Sequence, residues 1–247
     1  MNLDLKNIKS VYFIAEIGSN FDGSLRRAKD LIKLAKDCGS QAVKFQNYTA
    51  NSLVSDKGFK LQEKIQNSTH QANWKNSVFD TYDKASLDSD WMEELAQTAH
   101  DNEIDFLTSP YSIQLIDKVY KFCNSLKIGS GDLTYHEIIK HAASKNKPLL
   151  IGTGASTLDE VKQLMELDEL KNNDIVLMQC NTSYKGDPKE DKFQNINVLK
   201  TYKKLFPGIT LGLSCHSPSN IPVIAAVTLG AKIIEKHFTD DRDREGP

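Results

Sequence analysis

Arginine is nearly missing from this 247-residue chain: of 31 basic residues only Arg26, Arg27, Arg242 and Arg244 carry a guanidinium, all near the two ends. An anion bound by the middle of the chain must therefore be held by lysine, hydroxyls and backbone N–H groups, not by a bidentate fork. A basic excess is missing too. The formal net charge of -2 withholds the counterion release on which binding to a phosphate backbone depends, so nucleic acid is not an expected partner. Cysteine is sparse: Cys38, Cys123, Cys180 and Cys215 are widely spaced with no C-x-x-C pair, and the opening MNLDLKNIKS has no apolar signal-peptide core. A reduced, cytoplasmic protein is expected. No apolar run approaches the roughly 18 residues that span a bilayer, so no membrane partner is expected either.

What is present is ordinary globular composition, 39% hydrophobic and 26% charged, enough for a sizeable core. Eight short apolar runs recur: Val11 to Ile17, Gln41 to Phe45, Ile104 to Leu107, Ser125 to Ile128, Pro148 to Ile151, Ile175 to Met178, Ile209 to Leu213 and Lys232 to Glu235. Little polar alternation interrupts them, the pattern of parallel strands buried on both faces. Helical segments lie between. Leu25, Ala28, Leu31, Ile32, Ala35 and Cys38 repeat at helical spacing after Ser24, with Gly39 where a left-handed cap belongs, and Thr134-x-x-Glu137 and Thr157-x-x-Glu160 have capping-box spacing. Eight strands alternating with helices in one domain spanning residues 1–247 predict an α/β fold, a TIM-type (β/α)8 barrel. Two irregularities stand out. Gln46 to Leu87 is far longer than a βα loop and should hold helical pieces over the barrel mouth. After the eighth strand only His237 to Pro247 remain, so the eighth helix is expected to be lacking, and apolar surface between the first and seventh helices should be bare unless another chain or a longer form of this one covers it.

In such barrels the chemistry sits at the C-terminal strand ends. Those ends supply Glu16, then Lys44 and Gln46, Thr108 and Ser109, Lys127 and Ser130, Gly152 and Thr153, Gln179 and Asn181, Ser214 and His216, and Glu235 and His237. Period two lets Lys44 and Gln46, and likewise Glu235 and His237, face one cavity. His216 and His237, on neighbouring strands, either share a divalent metal, with Glu235 as a third ligand or a lysine partner, or serve as hydrogen-bonded core residues. Lys44 and Lys127 interrupt apolar strands and need a counter-charge: an anionic ligand, or Glu16 and Glu235 in an internal salt network. The turns Ile128-Gly-Ser-Gly-Asp132 and Gly152-Thr-Gly-Ala-Ser156 precede helices and offer N–H groups to phosphate. No G-x-S-x-G elbow is present, and Cys215 should point away from the cavity as a packing residue. Together these groups suit a small phosphorylated carboxylate.

The segments FIAEIGSNFDGSLRRAKDLIKLAKDCGSQAVKFQ, FLTSPYS, KIGSGDL, IGTGAST, GLSCHS and IIEKHFTDDRDREGP, in that order, closely resemble the catalytic domain of the sialic acid synthases, the N-acetylneuraminate synthase family with its legionaminate, pseudaminate and spore-coat polysaccharide relatives. The resemblance implies condensation of phosphoenolpyruvate with an N-acylated hexosamine (N-acetylmannosamine or a diacetamido-trideoxyhexose), giving a nine-carbon 2-keto sugar acid and phosphate. It implies a divalent ion, Mn2+ first with Mg2+ or Co2+ as alternatives, held by His216 and His237, and a homodimer. Lys44, Lys127, Ser130, Ser214 and Tyr184 match positions around phosphoenolpyruvate; Glu16 and Gln46 match positions near the sugar and the reacting carbons, and Ser109, Asp132, Thr182 and Glu235 complete the implied substrate-binding set.

The chain departs from the family pattern at Asn20-Phe21-Asp22-Gly23, where N-H-N-G is usual, and at Ser214-Cys215-His216, where S-D-H is usual. Asp132 stands where Glu is common, and Gln179-Cys180-Asn181 where H-C-T is common. The family motif continues G-P-D beyond Gly246-Pro247, toward an active-site aspartate and a small antifreeze-like domain. Two other readings of the same residues are a Schiff-base aldolase using Lys127 or Lys44, and a degenerate homologue that only binds a sugar or a partner.

Overall fold

The computed structural model describes residues 8–61, 71, 74–184 and 187–244. Eight parallel strands close on themselves in sequence order: β1 Tyr12–Gly18, β2 Ala42–Asn47, β3 Asp105–Pro110, β4 Ser125–Ile128, β5 Leu149–Gly152, β6 Ile175–Cys180, β7 Thr210–Cys215 and β8 Ile233–His237. The closing pair is β1 with β8, which sets Ile14 opposite Glu235 and Glu16 opposite His237. All eight predicted runs are strands, their ends shifted by at most three residues and those of β4 not at all, and the architecture is the expected TIM barrel.

Ten α-helices connect or flank the strands among the described residues: α1 Leu25–Asp37, α2 Ala50–Leu53, α3 Asp56–Lys60, α4 Val78–Ala85, α5 Met92–Asp101, α6 Ile113–Val119, α7 His136–Ala143, α8 Leu158–Met165, α9 Val198–Leu205 and α10 Ile221–Thr228. The start and stop signals explain most of these bounds. Ser24 Oγ accepts from the Arg27 N–H at 3.3 Å, α1 buries Ala28, Leu31, Ile32 and Ala35, and Gly39 turns away from the helix end at φ +88°, a conformation that costs any other L residue more. At α8 the capping box closes, Thr157 N–H donating to Glu160 Oε2 at 2.6 Å and Glu160 N–H to Thr157 Oγ1 at 3.3 Å. The box expected at Thr134 and Glu137 does not form. A turn from the Asp132 carbonyl to the Tyr135 N–H at 2.9 Å occupies that stretch, and α7 begins only at His136 without a side-chain cap. The long segment after β2 does hold helices, α2 to α4, with residues 62–70 and 72–73 outside the described set.

Strand alternation divides the interior into two cores. Outward side chains, among them Ala15, Ile17, Val43, Phe45, Phe106 and Ile234, pack under the helices. Inward ones, Tyr12, Ile14, Ala42, Leu107, Leu150, Val176, Met178 and Ile233, form a plug inside the barrel. That plug positions the site. Two residues above Ile14 comes Glu16, above Ala42 comes Lys44, above Leu107 comes Ser109 and above Ile233 comes Glu235, so the chain turns from apolar to ionisable one layer higher in the same barrel. Phe21, where the resembling family has histidine, is fully buried and packs against Phe45 and Trp91 with ring centroids 6.3 Å from each. Cys215 is buried in the outer core, as expected. No helix follows β8 among the described residues.

Candidate functional site at the strand ends

Above the apolar plug lies a cavity of about 360 Å3, lined by all the residues that the family resemblance implies for catalysis, substrate and metal: Glu16, Lys44, Gln46, Ser109, Lys127, Ser130, Asp132, Thr182, Tyr184, Ser214, His216, Glu235 and His237. Six come from consecutive inward positions of β2, β7 and β8 together with the residue after β7, which is why period-two counting finds them.

The floor of the cavity is ionic. Lys44 Nζ lies 2.6 Å from Glu16 Oε2 and donates to Ser109 Oγ at 3.0 Å; Lys127 Nζ lies 3.3 Å from Glu235 Oε1. Gln46 Nε2 donates to Glu16 Oε1 at 2.9 Å, and Ser214 Oγ donates to Glu235 Oε1 at 2.9 Å. The two lysines and two carboxylates are each no more than 5% exposed, so the internal salt network open in the sequence does form. It leaves Glu235 Oε2 buried without a hydrogen bond among the described residues, 4.0 Å from Lys44 Nζ.

The two carboxylates differ electrostatically. Burial raises Glu16, and Lys44 only partly opposes it. Burial works the same way on Glu235, but Lys127, Lys44 and the Ser214 hydroxyl outweigh it and hold the acid at about 2. Lys127 is the counterpart: burial favours its neutral amine, yet Glu235 prevails and its pKa rises. The two environments push the acids apart, Glu235 being held ionised and Glu16 becoming the more basic of the two.

Beside this floor the two histidines meet, ring centroids 5.3 Å apart, with Tyr184 stacked on His216 at 4.0 Å. His216 Nδ1 lies 2.8 Å from the Asn181 carbonyl. A carbonyl only accepts, so Nδ1 carries the proton and Nε2 keeps its lone pair. Burial, helped by His237, pushes His216 down to about 4. His237 also shifts down, through burial and then Lys44, although part of the residue is exposed at the cavity mouth. Two neutral imidazoles suit a divalent ion; no third His, Cys, Asp or Glu groups with them among the described residues, which leaves coordination positions for other oxygens. Cys215, at the position where the family pattern has aspartate, faces away and adds no ligand.

Two expectations are corrected by the geometry. The turn Gly152 to Ser156 does not line the cavity. It supports the turn that does: a Cβ on Gly152 would lie 3.1 Å from Ser130, and one on Gly154 would lie 2.8 Å from Thr182 Cγ2 and 2.9 Å from the Cys180 carbonyl. Gln179 likewise turns outward, donating to the Gln194 carbonyl at 3.1 Å. The turn singled out for its N–H groups contributes Gly129 and Gly131, and residues that the sequence reading passed over also line the site, namely Ser52 and Leu53 of α2, Tyr111 and Tyr135. For Tyr111 a signal existed: it continues the parity of Leu107 and Ser109 two residues past the strand.

Comparison with known proteins identifies the family. Residues 31–247 match the model of the NeuB family. The chain belongs to that family. It is 33% identical over 240 residues to an uncharacterized protein of Methanocaldococcus jannaschii and 30% identical over 238 residues to the N-acetylneuraminate-9-phosphate synthase of Homo sapiens, covering 96% and 95% of this chain. It spans 64% of the length of each of those relatives. The N,N'-diacetyllegionaminic acid synthase of Campylobacter jejuni is 31% identical over 244 residues, covering 97% of this chain and 71% of that one. Among solved structures, a spore coat polysaccharide biosynthesis protein of Bacillus subtilis superposes with a TM-score of 0.74 at 28% identity, covering 95% of this chain and 61% of the other. A sialic acid synthetase of Leptospira borgpetersenii gives 0.80 at 24% identity, covering 96% and 76%, a likeness of fold. No helix of the described residues is long and apolar enough to cross a membrane.

Proposed function

We propose that this chain carries the catalytic site of a sialic-acid-type synthase, which condenses phosphoenolpyruvate with an N-acylated hexosamine and water to give a nine-carbon 2-keto sugar acid and phosphate. The observation that carries the reading is the convergence of two neutral imidazoles and two buried, carboxylate-paired lysines in one cavity at the strand ends. The names of the relatives, synthases of N-acetylneuraminate 9-phosphate and of diacetyllegionaminic acid, support the same class of product.

Lys44 and Lys127 take the carboxylate and phosphate of phosphoenolpyruvate, with Ser130 and Ser214 donating beside them and Ser109, Thr182 and Tyr184 lining the approach. An arriving anion competes with Glu16 and Glu235 for the lysines, so those carboxylates keep the lysines charged and in place beforehand. Glu235, held ionised, stays the fixed counter-charge of Lys127. Glu16, paired with Lys44 and oriented by Gln46, is the carboxylate nearest the reacting carbons, and burial raises its affinity for a proton. His216 and His237 would hold a divalent ion, Mn2+ or a similar one, which when bound supplies Lewis-acid polarisation of the sugar aldehyde. Asp132, itself raised by burial, faces the acceptor side. A raised Lys127 ion-paired to Glu235 is a poor Schiff-base nucleophile, because that chemistry needs the free amine.

The test is phosphate release from phosphoenolpyruvate by the longest obtainable form of the gene product, with Mn2+ and either N-acetylmannosamine or diacetamido-trideoxyhexoses, and mass detection of the nine-carbon acid. Phosphate release dependent on both sugar and metal is expected. Its absence with every acceptor, or activity that survives chelation and is trapped by borohydride, would overturn the reading.

A further inference from the structure

Tyr111 brings an unpartnered hydroxyl into the cavity. It stands two residues beyond Ser109 on the same parity, and its backbone N–H donates to the Asn47 carbonyl at 3.0 Å. Its ring is fixed by a ladder of edge-on contacts: Tyr111 on Tyr48 at 6.1 Å and 81°, then Tyr48 on Tyr82 at 5.7 Å and 82°. Tyr48 is itself anchored through its hydroxyl to Ser19 Oγ at 2.8 Å. The Tyr111 hydroxyl, by contrast, has no hydrogen-bond partner among the described residues. A phenol held this rigidly in a polar cavity with a free donor is prepared for a ligand oxygen.

Its neighbours define which kind of ligand. The bare face of Gly129 marks the spot: a Cβ there would lie 3.0 Å from Asp132 Oδ2 and 3.5 Å from the Tyr111 hydroxyl, so an acceptor and a donor converge on one patch that only glycine leaves open. Burial, then the negative charges of Glu16 and Asp132, drives the phenol's pKa well above 10, so it remains a donor at any working pH. An anion is disfavoured beside two carboxylates, and the lysines that would hold one lie on the cavity floor. A sugar hydroxyl fits both atoms at once, giving its proton to Asp132 and accepting one from Tyr111.

We propose that the Tyr111 hydroxyl, paired with Asp132 across Gly129, is a specificity-determining contact to a hydroxyl or carbonyl oxygen of the neutral acceptor sugar. The assignment rests on the functional reading above in taking the second substrate to be a sugar. The test is Tyr111→Phe, which keeps the ring on Tyr48 and removes one oxygen. N-acetylmannosamine and phosphoenolpyruvate binding are each measured by saturation-transfer NMR, alongside steady-state phosphate release. A neutral hydrogen bond is typically worth about a fivefold to tenfold change in affinity. The variant should lose about that much for the sugar, in binding and in KM, while phosphoenolpyruvate binding stays within about twofold. Asp132→Asn should weaken the sugar similarly, and the double variant should lose less than the product of the two. Equal sugar affinity in wild type and Tyr111→Phe, sugar and phosphoenolpyruvate affinities falling together, or no sugar binding to wild type would each overturn the assignment. Failure of phosphate release with sugar binding still weakened by Tyr111→Phe would sink the synthase reading and leave Tyr111 standing.

Discussion

Arg27 grips Asp240 with both terminal nitrogens, Nη1 to Oδ2 at 2.8 Å and Nη2 to Oδ1 at 2.5 Å, and so ties the start of α1 to the segment after β8. The clasp continues inward. Arg27 Nε donates to the Asn20 carbonyl at 2.8 Å, Asn20 Nδ2 donates to the Phe238 carbonyl at 2.7 Å, and the Phe238 N–H donates to the Glu16 carbonyl at 2.8 Å. Phe238 directly follows His237, so a side chain outside the cavity braces one of the two cavity imidazoles. Arg27→Ala should speed amide exchange at Phe238 and lower stability by about 1 kcal/mol, with Arg27→Lys between, since lysine cannot make the fork. Unchanged exchange at Phe238 would mean the clasp holds nothing. Asp240 is drawn down to about 2 by Arg27. A depressed carboxylate stabilises above its unfolded value near 4, and this contribution is lost as pH falls through 2.

The histidine pair makes a prediction of opposite chemical type. Both imidazoles are lowered, so between about pH 6.5 and 4 the unfolded chain binds protons that the folded one refuses, and stability falls as pH drops through that window. The same shift keeps His216 Nε2 available to a metal where free imidazole would already be protonated. Co2+ affinity, followed by its visible absorption, should fall less than about tenfold from pH 7.5 to 5.5, and His216→Ala or His237→Ala should abolish the spectrum. A loss approaching a hundredfold over that range, as two free imidazoles would give, refutes the assignment of these rings as preorganised neutral ligands.

How far the sequence reveals this site follows from where alternation operates. Inside a strand, parity carries Ile14 to Glu16 and Ile233 to Glu235 to His237 without ambiguity, and an arginine-poor middle singles out Lys44 and Lys127 as cations that need either an anionic ligand or a carboxylate. Beyond the strand ends, parity persists only while the backbone stays extended. It would still have reached Tyr111, but Ser52, Leu53 and Tyr135 enter the cavity from loops and short helices whose path depends on tertiary packing. The turn at Gly152 to Ser156 resembles a phosphate cradle in composition, and nothing in its own residues tells that Ser130 and Thr182 press against it. Phe21 is not legible as a core residue from its own segment, because its partners Phe45 and Trp91 lie on other elements.

That packing makes Gly154 a sensitive position. A methyl group 2.8 Å from Thr182 Cγ2 and 2.9 Å from a backbone oxygen forces movement, costing about 1–3 kcal/mol. Gly154→Ala should lower the melting temperature and also weaken phosphoenolpyruvate binding, because what yields carries Thr182 or Ser130. Full affinity in the destabilised variant would show that Ser130 does not contact the anion.

Lys127 separates the structural from the functional meaning of the salt network. Removing one member of a buried pair strands the other, at about 3–5 kcal/mol, so Lys127→Met and Glu235→Gln should both destabilise the fold. Only Lys127→Met should lose phosphoenolpyruvate binding tenfold or more, measured by calorimetry on the folded fraction. Equal affinity in Lys127→Met and wild type would make the lysine a purely structural cation.

The outer wall carries a last expectation. Phe13 points outward from β1 and is 42% exposed; on α10, Ile221 and Ile224 are 68% and 65% exposed. Each of these side chains would gain about 1.5–3 kcal/mol by full burial, and a barrel strand ordinarily finds that cover under a helix. α10 is apolar nearly all round, with Pro222 and Ala226 buried inward, so its outer face is as ready to pack as its inner one. Expressed as the 247-residue polypeptide, the protein should bind an apolar dye in its folded state and associate with rising concentration. Ile221→Lys with Ile224→Lys should reduce both and leave folding stability within about 1 kcal/mol, because neither side chain contributes to the core. A dye-silent monomer would contradict the expectation, and it would mean that exposure of this face carries no cohesive drive at accessible concentrations.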